Sequence, residues 1–149
     1  MNREEMVKRK IVNRVKADRD KCVSCLGCMS ACIIAHEGHS PRNRVVISSD
    51  KVSSPIFCRN CDLPECTFTC MSGALFVDES TGYVQYDDEQ CGSCYMCVMA
   101  CPYGVLRPDK IEGKVSKCDM CVNHTEKTSQ CVAKCPMGAI TLEEGGIGT

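Results

Sequence analysis

Tryptophan is absent from the chain, and phenylalanine and tyrosine occur only three and four times. Leu, Ile, Val and Phe together supply 30 of the 149 residues, a share close to that of disordered segments. A conventional apolar core is therefore in short supply, and something other than large side chains must fill the centre. No apolar run reaches the roughly 20 residues needed to cross a bilayer. Met1-Asn2-Arg3-Glu4-Glu5-Met6-Val7-Lys8-Arg9-Lys10 also contains no apolar segment of the secretory kind. The expectation is a cytoplasmic chain with no membrane insertion. No general acid, base or nucleophile constellation stands out, so no catalytic residue is assigned and the chain does not read as an enzyme in itself. What it has instead is cysteine, sixteen in all.

The cysteines fall into four sets of four with none left over. They are Cys22, Cys25, Cys28, Cys32; Cys58, Cys61, Cys66, Cys70; Cys91, Cys94, Cys97, Cys101; and Cys118, Cys121, Cys131, Cys135. Every set begins C-x2-C and ends C-x3-C, and only the middle gap varies, at two, four, two and nine residues. The third set, followed directly by Pro102, resembles the C-x2-C-x2-C-x3-C-P run of ferredoxins that carry two cubane clusters. A two-residue gap lets consecutive thiolates sit on different irons of one cubane, and the fourth cysteine ligates the other cluster of the pair. Sixteen thiolates in four quartets are the number required by four [4Fe-4S] clusters, which would also serve as the missing core.

Two other uses of cysteine compete. A disulfide scaffold belongs to secreted chains, which the N-terminus does not suggest. Zinc shares the C-x2-C pair and would make the protein a structural interaction module, but tetrahedral zinc has no use for the third close thiolate of sets one and three. Cluster binding also changes the charge. Each cubane with its four thiolates carries −2, so four of them take the formal net charge from −1 to −9. Such a protein favours basic partner surfaces and avoids nucleic acid.

Residues 1–21 differ from the rest. They hold eight basic and four acidic side chains, a charge of +4 against −5 for the remainder. Val7, Ile11 and Val15 fall at the spacing of a helical stripe. This basic amphipathic extension is either a strap over an acidic body or a docking element for a partner or a second copy. His36 and His39 read as polar loop residues, since every cluster already has four cysteines. Arg44 to Ser48 reads as a strand. Hairpins are expected over 75–86 and around Glu112-Gly113, with a last strand at Ile140-Thr141-Leu142 and a loose tail over 143–149. Small residues or proline, then Gly and a strand, follow Cys70, Cys101 and Cys135, an internal repeat. The fold class is α+β, with short helices and short hairpins.

The layout over 22–142 resembles the four-cluster ferredoxin-like electron-transfer subunits of dimethyl sulfoxide reductase, formate dehydrogenase and polysulfide reductase. Within that group, residues 70–75, Thr81-Gly82 and residues 94–104 look like the ferredoxin-like subunit that serves carbon monoxide dehydrogenase. The resemblance implies two interleaved 2[4Fe-4S] halves, set one with set four and set two with set three. It implies clusters on Cys22, Cys25, Cys28 with Cys135, and on Cys118, Cys121, Cys131 with Cys32. It also implies clusters on Cys58, Cys61, Cys66 with Cys101, and on Cys91, Cys94, Cys97 with Cys70. The implied function is electron relay between a redox enzyme and an acceptor. Carbon monoxide dehydrogenase is the favoured partner; a formate dehydrogenase, hydrogenase or aldehyde oxidoreductase is the alternative.

Overall fold

The computed structural model of the chain describes residues 4, 13–38, 40–124, 126 and 128–144. Each cysteine set contributes one helix: α1 (Gly27–His36), α2 (Glu65–Thr69), α3 (Met96–Ala100) and α4 (Gln130–Lys134). In every set the third cysteine is the second residue of its helix. The C-x3-C spacing is thus one helical turn, which brings the third and fourth cysteines to the same face. In α2, α3 and α4 the fourth cysteine is the C-cap, in extended backbone. Three residues further on, Gly73, Gly104 and Gly138 have φ of 76°, 63° and 60°, the left-handed turn that sends the chain into a strand. Set one lacks this punctuation. Ile33-Ile34-Ala35 follows Cys32, and α1 runs on to His36, so this histidine is a helix terminus and not a loop residue.

The strands form four antiparallel pairs: β2 (Arg44–Ile47) with β3 (Ser53–Ile56), β4 (Leu75–Val77) with β5 (Val84–Tyr86), β6 (Arg107–Asp109) with β7 (Lys114–Ser116), and β1 (Asn13–Ala17) with β8 (Ile140–Glu144). The last pair corrects the helical stripe: Val15 stands opposite Leu142 in a strand. Val7 and Ile11 lie outside the described residues. A salt bridge of 2.8 Å joins Arg14 on β1 to Asp62 in set two. The described part of the basic extension therefore straps the body. The loose tail is corrected in part too, since Glu143 and Glu144 belong to β8 and residues 145–149 are not described. Among the described residues no helix is long and apolar enough to cross a membrane.

Two small cores result, and cysteines are part of both. Leu75, Val77, Val84, Leu106, Val115 and Cys97 form one, with Cys66, Cys70, Cys91 and Cys101 packed on it. Phe57, Ala139, Ile140 and Cys28 form the other, with Cys22, Cys131 and Cys135 around them. The helices pair in the same way, α2 against α3 and α1 against α4.

Asn60 ties the set-two loop to the first core. It is 1% exposed, has φ of 43°, and its Oδ1 accepts the Val84 N–H at 3.0 Å. Asparagine tolerates this backbone region better than most side chains. Replacing Asn60 with Ala leaves a buried N–H unpaired and adds backbone strain, a loss of about 2–4 kcal/mol. Anaerobic urea unfolding of the loaded protein measures it. A loss below about 0.5 kcal/mol, the size of an ordinary surface substitution, would show that the contact carries no stability.

Candidate metal centre

Thiolate ligands need a backbone that wraps around them, and the C-x2-C segments supply it by left-handed residues. Ser24, Asn60, Ser93 and Met120 occupy the same position, directly before the second cysteine of each set, with φ of 58°, 43°, 57° and 58°. Leu26, Tyr95 and Cys121 are left-handed as well, at 61°, 58° and 58°. In sets one and three the left-handed residues alternate with others, which turns successive N–H groups toward one side, the concave arrangement that binds anions. In sets three and four the Ser93 and Met120 N–H groups donate to the sulfurs of Cys91 and Cys118, each at 3.4 Å. Two ties to distant segments hold these loops: Ser24 shares a hydroxyl hydrogen bond with Ser53, and the Ser93 hydroxyl donates to the Gly113 carbonyl.

Cysteines of different sets act on one another, and Cys58 of set two also acts on Cys118 of set four. Burial raises the Cys97 thiol, and the charges of Cys70, Cys91 and Cys94 act on it too. Burial pushes Cys66 up to about 11, with Cys58 and Cys101 adding and Lys117 opposing. Cys61 is raised by burial and then by Cys58 and Cys101. Cys131 is pushed up to about 12 by burial, followed by Cys118, Cys121 and Cys32. Burial, Cys22 and Cys25 act on Cys28, and Cys22, Cys25, Cys28 and Cys135 line one small cavity. Of the sixteen, only Cys25 and Cys94 are exposed. They are the second cysteines of sets one and three.

Buried thiols with raised pKa values hold their protons at neutral pH unless a cation replaces them. The spacing of the sulfurs says what kind. Among the described residues, only His36, Asp119 and Cys121 place three ligand atoms within 4.8 Å of one another. A single zinc ion with Zn–S of about 2.3 Å would hold its sulfurs about 3.8 Å apart. The cysteine groups are more open than that, and a polynuclear centre with all-sulfur donors fits them. The His36 trio is no rival site, because both ring nitrogens are engaged. Nδ1 lies 2.9 Å from the Cys32 carbonyl and Nε2 2.8 Å from the Asp119 carboxylate. The hydrogen bond that Nε2 donates to Asp119 is the main cause of a His36 pKa well above the usual, and with both nitrogens facing acceptor oxygens the ring is an imidazolium.

Asp119 and Lys117 are residues near the sulfurs that sequence reading did not single out, and His36, read there as a polar loop residue, lies near them too. His36 Nδ1 is 3.6 Å from Cys32 Sγ, the Arg42 N–H donates to the same sulfur at 3.3 Å, and Arg42 also pairs with Asp119 at 3.7 Å. The separation of 83 positions between His36 and Asp119 hid this contact. The only signal was an acidic residue inside a C-x2-C and a histidine one turn after a fourth cysteine. Phe57 is buried, Phe68 and Tyr95 are partly buried against the first core, and Phe76 is 43% exposed. Tyr103 carries the Arg59 guanidinium over its ring at 4.3 Å.

All-cysteine loops of this geometry on a small α+β scaffold define an iron–sulfur protein. The chain belongs to the family described as the 4Fe-4S dicluster domain, which matches residues 49–145. It is 34% identical to an iron-sulfur protein of Rhodospirillum rubrum over 86% of this chain and 80% of that one. It is also 34% identical to the electron transport protein HydN of Escherichia coli K12, with 83% of each chain covered. Among solved structures, the active-site complex BamBC of benzoyl-coenzyme A reductase aligns with a TM-score of 0.53 at 22% identity, over 95% of this chain and 83% of that one. At that identity the likeness concerns the fold alone.

Proposed function

We propose that the chain is an electron wire that holds four [4Fe-4S] clusters, in two interleaved halves. The observation that supports the proposal is the mixing of sets: Cys135 lines a cavity with Cys22, Cys25 and Cys28, Cys32 acts on Cys131, Cys101 on Cys61 and Cys70 on Cys97. The ligand sets are then Cys22, Cys25, Cys28, Cys135; Cys118, Cys121, Cys131, Cys32; Cys58, Cys61, Cys66, Cys101; and Cys91, Cys94, Cys97, Cys70. The clusters would supply reversible one-electron storage. The chain's own part is to ligate, to exclude water and to aim N–H groups at the sulfurs. A body of this size has a radius of gyration of about 15 Å, so four sites in a row reach from one side to the other. The exposed Cys25 and Cys94 mark the two groups at which electrons enter and leave.

The partner in this reading is a redox enzyme. A relative named as an electron transport protein supports the role. So does the beta subunit of an NADH-dependent phenylglyoxylate dehydrogenase of Aromatoleum evansii, 35% identical over 83% of this chain and 28% of its own length. Carbon monoxide dehydrogenase as the particular partner rests on residues 70–75, 81–82 and 94–104 alone. The basic side chains Arg3, Lys8, Arg9 and Lys10 are the docking element, while Arg14 pairs within the body. Protein purified anaerobically should contain about 16 iron and 16 acid-labile sulfide per chain, four of each per cluster. Two to four zinc ions per chain without sulfide would overturn the reading in favour of a structural module.

A further inference from the structure

Lysine is the side chain least expected inside a protein, and Lys117 is 2% exposed. It follows β7 directly and precedes Cys118, so the strand delivers its stem into the interior. Its Nζ donates to the Val84 carbonyl at 3.0 Å and to the Cys118 carbonyl at 2.5 Å. Among the described residues no carboxylate pairs with it. The charges that act on it come from cysteines of two sets, Cys58 and Cys66 of set two and Cys118 of set four. It also lines the cavity shared by Cys58, Cys61, Cys66 and Cys101.

A buried ammonium without a counter-charge sheds its proton or is not tolerated. Here no carboxylate among the described residues is at hand, and the cavity that Lys117 lines is walled by Cys58, Cys61, Cys66 and Cys101, with Cys118 the next residue along the chain. Two carbonyl acceptors satisfy part of the donor set and aim the head group. They cannot neutralise it, so the anionic sulfur sites on either side do.

We propose that Lys117 is a fixed buried cation shared by two cluster sites, that of Cys58, Cys61, Cys66 and Cys101 and that of Cys32, Cys118, Cys121 and Cys131. The proposal rests on the four-cluster reading given above. As a positioning residue for charge, it favours the reduced state of both sites. An added electron meets a positive charge in a low dielectric on either side. Because the same cation faces both, an electron passing from one site to the other stays under its attraction. No proton is gained or lost in the step. The two outer sites, which hold Cys25 and Cys94, are tuned by solvent instead.

The test compares wild type, K117Q and K117R, purified anaerobically, by iron and sulfide content and by equilibrium redox titration followed by electron paramagnetic resonance. In K117Q two of the four one-electron steps should move to lower potential. At a fixed ambient potential the ratio of reduced to oxidised cluster should fall tenfold or more, where tenfold is 59 mV for one electron. The other two steps should stay in place, and K117R should titrate as wild type. Four unchanged steps in K117Q, or four that move alike, overturn the proposal. If K117Q loses the iron of two clusters, K117R decides. Full iron in K117R shows that the cation is required, and equal loss shows a packing residue and overturns the proposal. A wild-type protein without sulfide is a different failure, that of the four-cluster reading itself.

Discussion

Removing iron from the anaerobic protein with a chelator should unfold it, with loss of most far-ultraviolet dichroism and of slow amide exchange. The expected effect is the whole of the stability, about 5–15 kcal/mol for a domain. Two structural costs explain why the chain cannot keep its shape alone. Seven non-glycine residues of the cysteine loops, Ser24, Leu26, Asn60, Ser93, Tyr95, Met120 and Cys121, hold positive φ, and such residues cost on the order of 1–3 kcal/mol each. Together they approach the full stability of a domain of this size. Both small cores also count cysteines among their members, so emptying the sulfur groups removes the contents of the core. Returning ferrous iron and sulfide should restore the dichroism in step with the brown chromophore. An iron-free chain that keeps its dichroism and exchange protection would show that the aliphatic residues suffice.

The cysteine quartets made the site legible because ligand spacing is local. A C-x2-C segment must be a loop, and a C-x3-C one helical turn, wherever they stand. The hairpin of β4 and β5 was legible for the same reason: alternating residues flank a turn through Asp78 and Gly82, where Gly82 N–H reaches the Asp78 carbonyl at 2.7 Å. What stayed hidden depends on contacts distant in sequence. Asn13 to Ala17 carries one valine of a helical stripe, and only its pairing with Ile140 to Glu144, at the far end of the chain, makes it a strand. β3 contains Pro55, which argues against a strand except at an edge, and among the described residues β3 pairs with β2 alone. Lys117 stands next to a ligand, and nothing in the local sequence says that β7 ends inside. Asn60 carried a readable hint, since asparagine is suited to the left-handed position that the other sets fill with Ser24, Ser93 and Met120.

Cys32→Ser should cost the protein about four iron, taken from the cluster of set four and not from that of its own set. Cys32 is 8% exposed and its sulfur is fixed by the Arg42 N–H at 3.3 Å. It is among the sulfurs that act on the Cys131 thiol, together with Cys118 and Cys121. The sulfurs that act on Cys28 include those of Cys22 and Cys25, from its own set. In the proposed ligand sets, therefore, Cys32 and Cys131 serve one cluster and Cys28 serves another. Substitutions within one cluster remove the same irons, so their effects do not add, whereas substitutions in two clusters do. The double variant C32S/C131S should keep about 12 iron per chain, no fewer than either single variant. C32S/C28S should keep about 8, because two clusters are lost. The opposite order, with C32S/C28S near 12 and C32S/C131S near 8, would place Cys22, Cys25, Cys28 and Cys32 on one cubane and end the interleaved arrangement.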